Sequence, residues 1–215
     1  MNAVTAHPLA PGVPGAPLVV FAHGLEDSWT SWQPLAAELD PDWRLVALDP
    51  HPGRTGRTVA LVCPLYREPR HPVTWRMFDR SRATFVRHIR DGVQARMGGR
   101  ADSMEPGLLE AMIDMAVDRV GPAGFLTVFD QFARSADLPL GNVELPTLVL
   151  AGASDPTLSR EAAAALAGAM PGASLRIHDG YDHFCHVRHA GDVAAQVAGL
   201  VAAARATTRT TGELR

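Results

Sequence analysis

Two short apolar runs, residues 43–48 and 58–63, are separated only by residues 49–57, and this connection constrains the fold more than any other stretch. A parallel crossover ordinarily takes a dozen or more residues, with a helix that covers the sheet. The sequence here, Asp49 followed by Pro50-His51-Pro52-Gly53-Arg54-Thr55-Gly56-Arg57, leaves no room for that helix. Extended, it spans about 30 Å, enough to cross strands about 20 Å long but not to cover them. A unit is missing at this point of an otherwise alternating chain.

Elsewhere the alternation is regular. Residues 17–22 form a continuous apolar run typical of a buried parallel strand. A His23-Gly24 turn follows, and Ser28 or Thr30 is placed to cap a helix through about Leu39, with Trp32, Leu35, Ala36 and Leu39 on one face and Pro41 as its stop. With the strand at 43–48 this makes a βαβ unit, so an α/β fold with a doubly wound, mostly parallel sheet is expected. Residues 1–17, rich in Pro and Gly, are expected to form an irregular leader. Residues 65–142 are helical and amphipathic, with Met77, Phe78, Phe85, Ile89, Leu108, Met112, Ile113, Phe125 and Phe129 at helical spacing. Gly98-Gly99 and Gly121-Pro122 divide them into at least three helices. Alternation then resumes with a strand at 145–151, a helix at 159–170, a strand at 174–178 and a helix at 191–206. The expected organisation is a core from 1–64 and 143–206, a helical cap insertion at 65–142, and a flexible tail at 207–215.

Bulk composition narrows the function classes. A chain of 215 residues, 47% of them hydrophobic, can bury one substantial core. A net charge of -3 gives no electrostatic reason to expect nucleic acid or an anionic membrane as partner, and a small-molecule substrate or ligand fits better. All 20 basic residues are Arg, which excludes Schiff-base chemistry through a lysine. No signal-peptide pattern or membrane-length apolar segment is present, and Cys63 and Cys185 suit reduced thiols, so a cytoplasmic location is expected. No cofactor is implied.

The segments VVFAHGLEDSW, WRLVALD, PTLVLAGASDP and DGYDHFCHV follow one another in the order found in the α/β-hydrolase superfamily, and the chain resembles a lid-bearing, esterase- or thioesterase-like member of it. That resemblance implies an oxyanion hole at Gly24 and Leu25, with the Leu25 amide as donor. It implies an acid at Asp155, following a strand and a Gly-Ala-Ser turn, and a general base at His183 between the last strand and the last helix. Asp155 ahead of Pro156 also suits a helix cap, and His186 competes with His183 as base. His178, His183, His186 and His189, with Asp182 and Cys185, contain zinc-ligand types, but their spacing across a strand-to-helix turn does not make a site. No metal is expected.

The same resemblance makes the missing unit specific. A helix, the central strand, the nucleophile elbow and a second helix normally stand between runs like 43–48 and 58–62, about 40 residues by typical element lengths. No Gly-x-Ser-x-Gly occurs in the chain, so no nucleophile is assigned. Cys63 has Leu61 and Leu65 where an elbow needs small neighbours, Cys185 adjoins His183 on a loop, and Ser28, Ser31 and Ser154 stand outside any elbow. Loss of covering helices also exposes apolar surface, which favours self-association. The expected function is therefore a catalytically impaired protein of a small-molecule ester or thioester hydrolase lineage. The alternatives are a ligand- or partner-binding module and a proton-transfer enzyme using a His183 and Asp155 dyad.

Overall fold

The computed structural model describes residues 5–22, 29–49 and 58–212. Among these residues six strands form two separate three-stranded sheets. In the first, β1 (Thr5–Ala10), β3 (Arg44–Asp49) and β2 (Leu18–Ala22) lie in the order β1-β3-β2, with β2 parallel and β1 antiparallel to β3. In the second, β4 (Val59–Val62), β5 (Thr147–Gly152) and β6 (Ala173–His178) lie in that order, all parallel. The break falls between β2 and β4, and two half-sheets fit a core from which a central strand has been deleted. The linker 50–57 itself lies outside the described residues.

Helices cover what the half-sheets leave. The α1 helix (Gln33–Ala37), preceded by a 3-10 turn at Trp29–Trp32, is shorter than the helix expected through Leu39. Trp32 occupies its N-cap without a side-chain hydrogen bond, so Thr30 is not the cap, and Ser28 lies outside the described residues. Pro34 in its first turn and the apolar Leu35, which is buried, anchor it instead. After the short α6 helix (Cys185–Arg188), the α7 helix (Ala190–Gly212) continues past the expected end at Ala206. Its Val193, Ala194 and Val197 share one core with Phe21, Leu45 and Ala47 of the first sheet and with Leu148 and Leu150 of the second. Each such large apolar side chain contributes about 1.5–3 kcal/mol on burial, so α7 is the splice that holds the halves together. A second core packs α5 (Arg160–Gly168), through Ala163 and Leu166, on Val149 and Ala151.

Residues 5–10, expected to be irregular, form β1. Its register shifts between Pro8 and Ala10, and an edge strand tolerates a proline that cannot donate to a ladder. Between β4 and β5 run α2 (Trp75–Met97), the short α3 (Gly99–Asp102) and α4 (Pro106–Arg134). Thr74 caps α2 by accepting from the Met77 amide at 3.2 Å, and Gly98 ends it at φ 54°, a conformation that suits glycine. Gly121, at φ 60° before Pro122, kinks α4. Phe78, Phe85 and Phe125 pack α2 on α4, with ring centroids 5.2–5.4 Å apart. Among the described residues no helix is long and apolar enough to cross a membrane.

Candidate functional site

The turn after β5 and the loop after β6 are locked together by backbone bonds. Ala153 N–H donates to His178 O at 2.9 Å and Ser154 N–H to Tyr181 O at 3.1 Å. Gly152 permits this approach, because a Cβ there would lie 2.2 Å from Tyr181 O. The lock brings Asp155 and His183 together: Nδ1 of His183 lies 3.1 Å from Oδ2 of Asp155. The Asp155 side chain is fully buried, whereas that of His183 keeps 19% of its exposure. Asp155 does not cap the following helix. Ser159 does, accepting from Ala162 N–H at 3.2 Å.

Thr157, which the sequence did not single out, completes the arrangement. Its amide and its hydroxyl both lie against Asp155 Oδ1, at 2.8 and 2.7 Å, and the hydroxyl oxygen stands 2.8 Å from His183 Nδ1. The hydroxyl has one proton. With that proton on Asp155, its oxygen accepts from His183, and the network assigns the Nδ1–H tautomer, which leaves Nε2 free to take a proton. Burial works against the Asp155 carboxylate, but hydrogen bonds from His183 and Thr157 outweigh it and hold the group below its ordinary value. A carboxylate so held can orient an imidazole and stabilise it once protonated. The only advance signal for Thr157 was its position two residues after an Asp in a turn, where side-chain and backbone donors meet the carboxylate.

The other histidines divide by contact. His178 and His189 stack on Tyr181 at 4.4 and 4.9 Å, and the buried His186 ring lies 4.9 Å from Trp32. His88, on α2, reaches the pair from far in sequence: its ring meets His183 edge-on at 4.5 Å. Its Nδ1 is buried without a hydrogen-bond partner among the described residues. Burial, with the neighbouring His183 and Arg96, pushes its pKa down to about 3, so the ring stays neutral. Gly92, one helical turn on, faces the Phe184 ring where a Cβ would lie 2.8 Å away, which lets α2 close on the His183 loop.

The two cysteines meet behind this site. Cys63 Sγ lies 3.8 Å from Cys185 Sγ and 3.4 Å from Asp182 O, and both thiols are free and buried. Cys63 adopts φ 45°, a strained backbone that its large neighbours did not lead one to expect. The contact with Cys185, reinforced by burial, raises its pKa and keeps it a thiol. Ser154 is exposed and Ser31 buried, while Ser28, Gly24 and Leu25 lie outside the described residues. Beside His183 opens a cavity of about 1680 Å³, bounded by the free edges of β2 and β4, by α2 and by α4, and reaching His88 and Cys63.

No protein-family model matches the sequence, and no curated protein matches it. Solved structures do. A bromoperoxidase from Bacillus anthracis superposes with a TM-score of 0.61 at 16% identity, over 92% of this chain and 95% of that one. The enol-lactonase from Burkholderia xenovorans LB400 gives 0.59 at 17% identity, over 93% and 96%. A thermophilic esterase from Thermogutta terrifontis gives 0.56 at 15% identity, over 94% and 93%. Identities this low establish architecture alone. Across nearly its whole length the chain has the α/β-hydrolase fold, with the sheet interrupted between β2 and β4.

Proposed function

We propose that this chain comes from a lineage of small-molecule ester or thioester hydrolases, keeps its proton-handling pair and its pocket, and is severely impaired in acyl transfer on its own. The observation that carries this reading is the 3.1 Å contact of His183 Nδ1 with the buried Asp155 carboxylate at the wall of the cavity. In this reading His183 is the general base, Asp155 orients it, the Leu25 amide after Gly24 serves as oxyanion donor, and the helices of 65–142 act as a lid. A serine nucleophile in an elbow is missing, and the Cys63 thiol is held protonated. Base-assisted attack by water alone is worth about 10²–10⁴-fold, far below what covalent catalysis with an oxyanion hole supplies.

The test is p-nitrophenyl butyrate hydrolysis by monodisperse protein, with His183→Ala and Asp155→Ala alongside. The expected result is a slow rate without a burst. A stoichiometric burst of p-nitrophenol that disappears in His183→Ala overturns the impairment and requires a nucleophile. A ligand-binding module is favoured by one further observation, the aromatic lining that Phe85, Phe125, Phe129 and Phe132 give the cavity beside His183. Saturable binding of a substrate-like ester that survives both substitutions supports that role.

A further inference from the structure

The half-sheets turn open edges toward one cavity. β2 pairs only with β3 and β4 only with β5, and among the described residues neither has a ladder partner on its other side. Both edges line the same space. Arg44 N–H donates to Pro17 O at 2.9 Å, and the amides of Val59 and Cys63 donate to Pro146 O and Leu150 O at 3.0 and 2.8 Å. Alternation along a parallel ladder therefore aims the amides of Leu18, Val20, Ala60 and Val62 into the slot. A polar backbone group in apolar surroundings seeks a partner.

Direction follows from the ends of the strands. Phe21, near the C-terminal end of β2, stacks on Trp32 at 5.3 Å, and Trp32 meets His186. Cys63, just after β4, touches Cys185, and Gly152, ending β5, abuts Tyr181. All these ends converge on the loop that carries His183, so β2 and β4 run the same way.

The slot calls for a strand apolar on both faces, since Val20, Leu35, Leu61, Val62, Val197 and Val201 line it. The chain's own linker is a poor occupant, because Pro50, Pro52, Gly53 and Gly56 break strands and Arg54 and Arg57 are charged. The six described strands are already paired, so a second copy offers none of them without breaking a ladder. We propose that the slot is a docking site for an extended apolar segment of a different polypeptide, which adds as a parallel strand between β2 and β4 and delivers the residue after its C-terminal end beside His183. Main-chain hydrogen bonds on both sides supply the affinity, as in strand addition to a sheet edge.

With serine at that place the pair gains its nucleophile. The serine Oγ bonds to the acyl carbon, the alcohol or thiol leaves with the serine proton relayed through His183 Nε2, and water then cleaves the acyl-serine while His183 takes its proton and returns it to the serine. This step rests on the hydrolase reading; docking does not.

The experiment uses the full chain and a capped peptide with a strand of about five Val, Ile and Leu residues, followed by Gly-Ala-Ser-Ala-Gly. One control replaces Ser by Ala and another N-methylates alternate strand amides. Hydrogen exchange at Leu18, Val20, Ala60 and Val62 is expected to slow at least about tenfold, with smaller changes at Val19 and Leu61 and none with the methylated peptide. Unchanged exchange at millimolar peptide overturns the proposal. Protection of the same amides by raising the protein's own concentration, without peptide, overturns it in favour of a second copy. Ester turnover with the serine peptide and not the alanine one is expected as well. Protection without turnover leaves docking intact and removes the hydrolase reading.

Discussion

The hydroxyl of Thr157 lies 2.8 Å from Nδ1 of His183 while giving its proton to Asp155 at 2.7 Å, so one side chain fixes both the tautomer of the base and the ionisation of the acid. Thr157→Val keeps the shape and removes the hydroxyl. Hydrogen bonds to charged groups are worth about 1.5–3 kcal/mol, and a loss of that order is expected in urea unfolding at pH 7. The pH dependence has a definite sign. Asp155 in the folded state titrates below its ordinary 3.8, so its contribution is present above that value and lost as pH falls through the folded pKa. Losing the Thr157 hydroxyl raises that folded pKa, and acid unfolding of the variant should begin at higher pH. Equal stability and an unchanged acid limb would show that the hydroxyl is idle.

His88 acts on the same acid limb, at higher pH. Its folded pKa of about 3 lies below the ordinary 6.5, so between those values the unfolded chain binds more protons and stability falls as pH is lowered. One such group contributes a slope of at most about 1.4 kcal/mol per pH unit. His88→Leu should flatten the stability curve between pH 6 and pH 4, about the middle of that window. Nitrogen-15 spectra should show the wild-type His88 ring neutral at pH 5; a protonated ring there would refute the buried, neutral assignment.

How far the sequence reached depended on whether a feature was local. Strands β2 to β6 end within a few residues of their apolar runs, and the resemblance that singled out Asp155 and His183 named two side chains that the structure brings within 3.1 Å. β1 was hidden because its ladder is formed with β3, far along the chain, and its Pro8 argues locally against a strand. His88 stands on a helix where its spacing matches an ordinary half-buried face, and only tertiary packing sets it against His183. The strain at Cys63 was masked by its large neighbours. The short connection at 49–57 did announce a missing strand, but that two open edges would share one cavity is a property of the assembled halves.

Cys63 and Cys185 are expected to be silent. Both are buried, and the raised pKa of Cys63 keeps it from the thiolate form that reacts. Iodoacetamide at pH 8 should label neither in the folded protein over times that fully label a free thiol, and both after unfolding in urea. Rapid labelling of Cys63 in the folded state would mean a thiolate on the cavity wall and would restore it as a nucleophile.

Gly152 is the position where a single methyl should separate acid from base. An alanine Cβ would lie 2.2 Å from Tyr181 O, a backbone atom that already accepts from Ser154 N–H and cannot yield without moving the loop that carries His183. Overpacking of this kind costs about 1–3 kcal/mol, and Gly152→Ala should reach the upper part of that range. The displacement should also stretch the His183 Nδ1 contact with Asp155, so the low-field proton resonance expected for that hydrogen bond should vanish. Gly168→Ala is the matched control, since Gly168 lies in α5 with nothing within 4 Å of the added Cβ. It should be neutral or stabilise by up to about 1 kcal/mol through helix propensity. If both variants melt alike and keep the resonance, close approach at Gly152 is not what holds the pair.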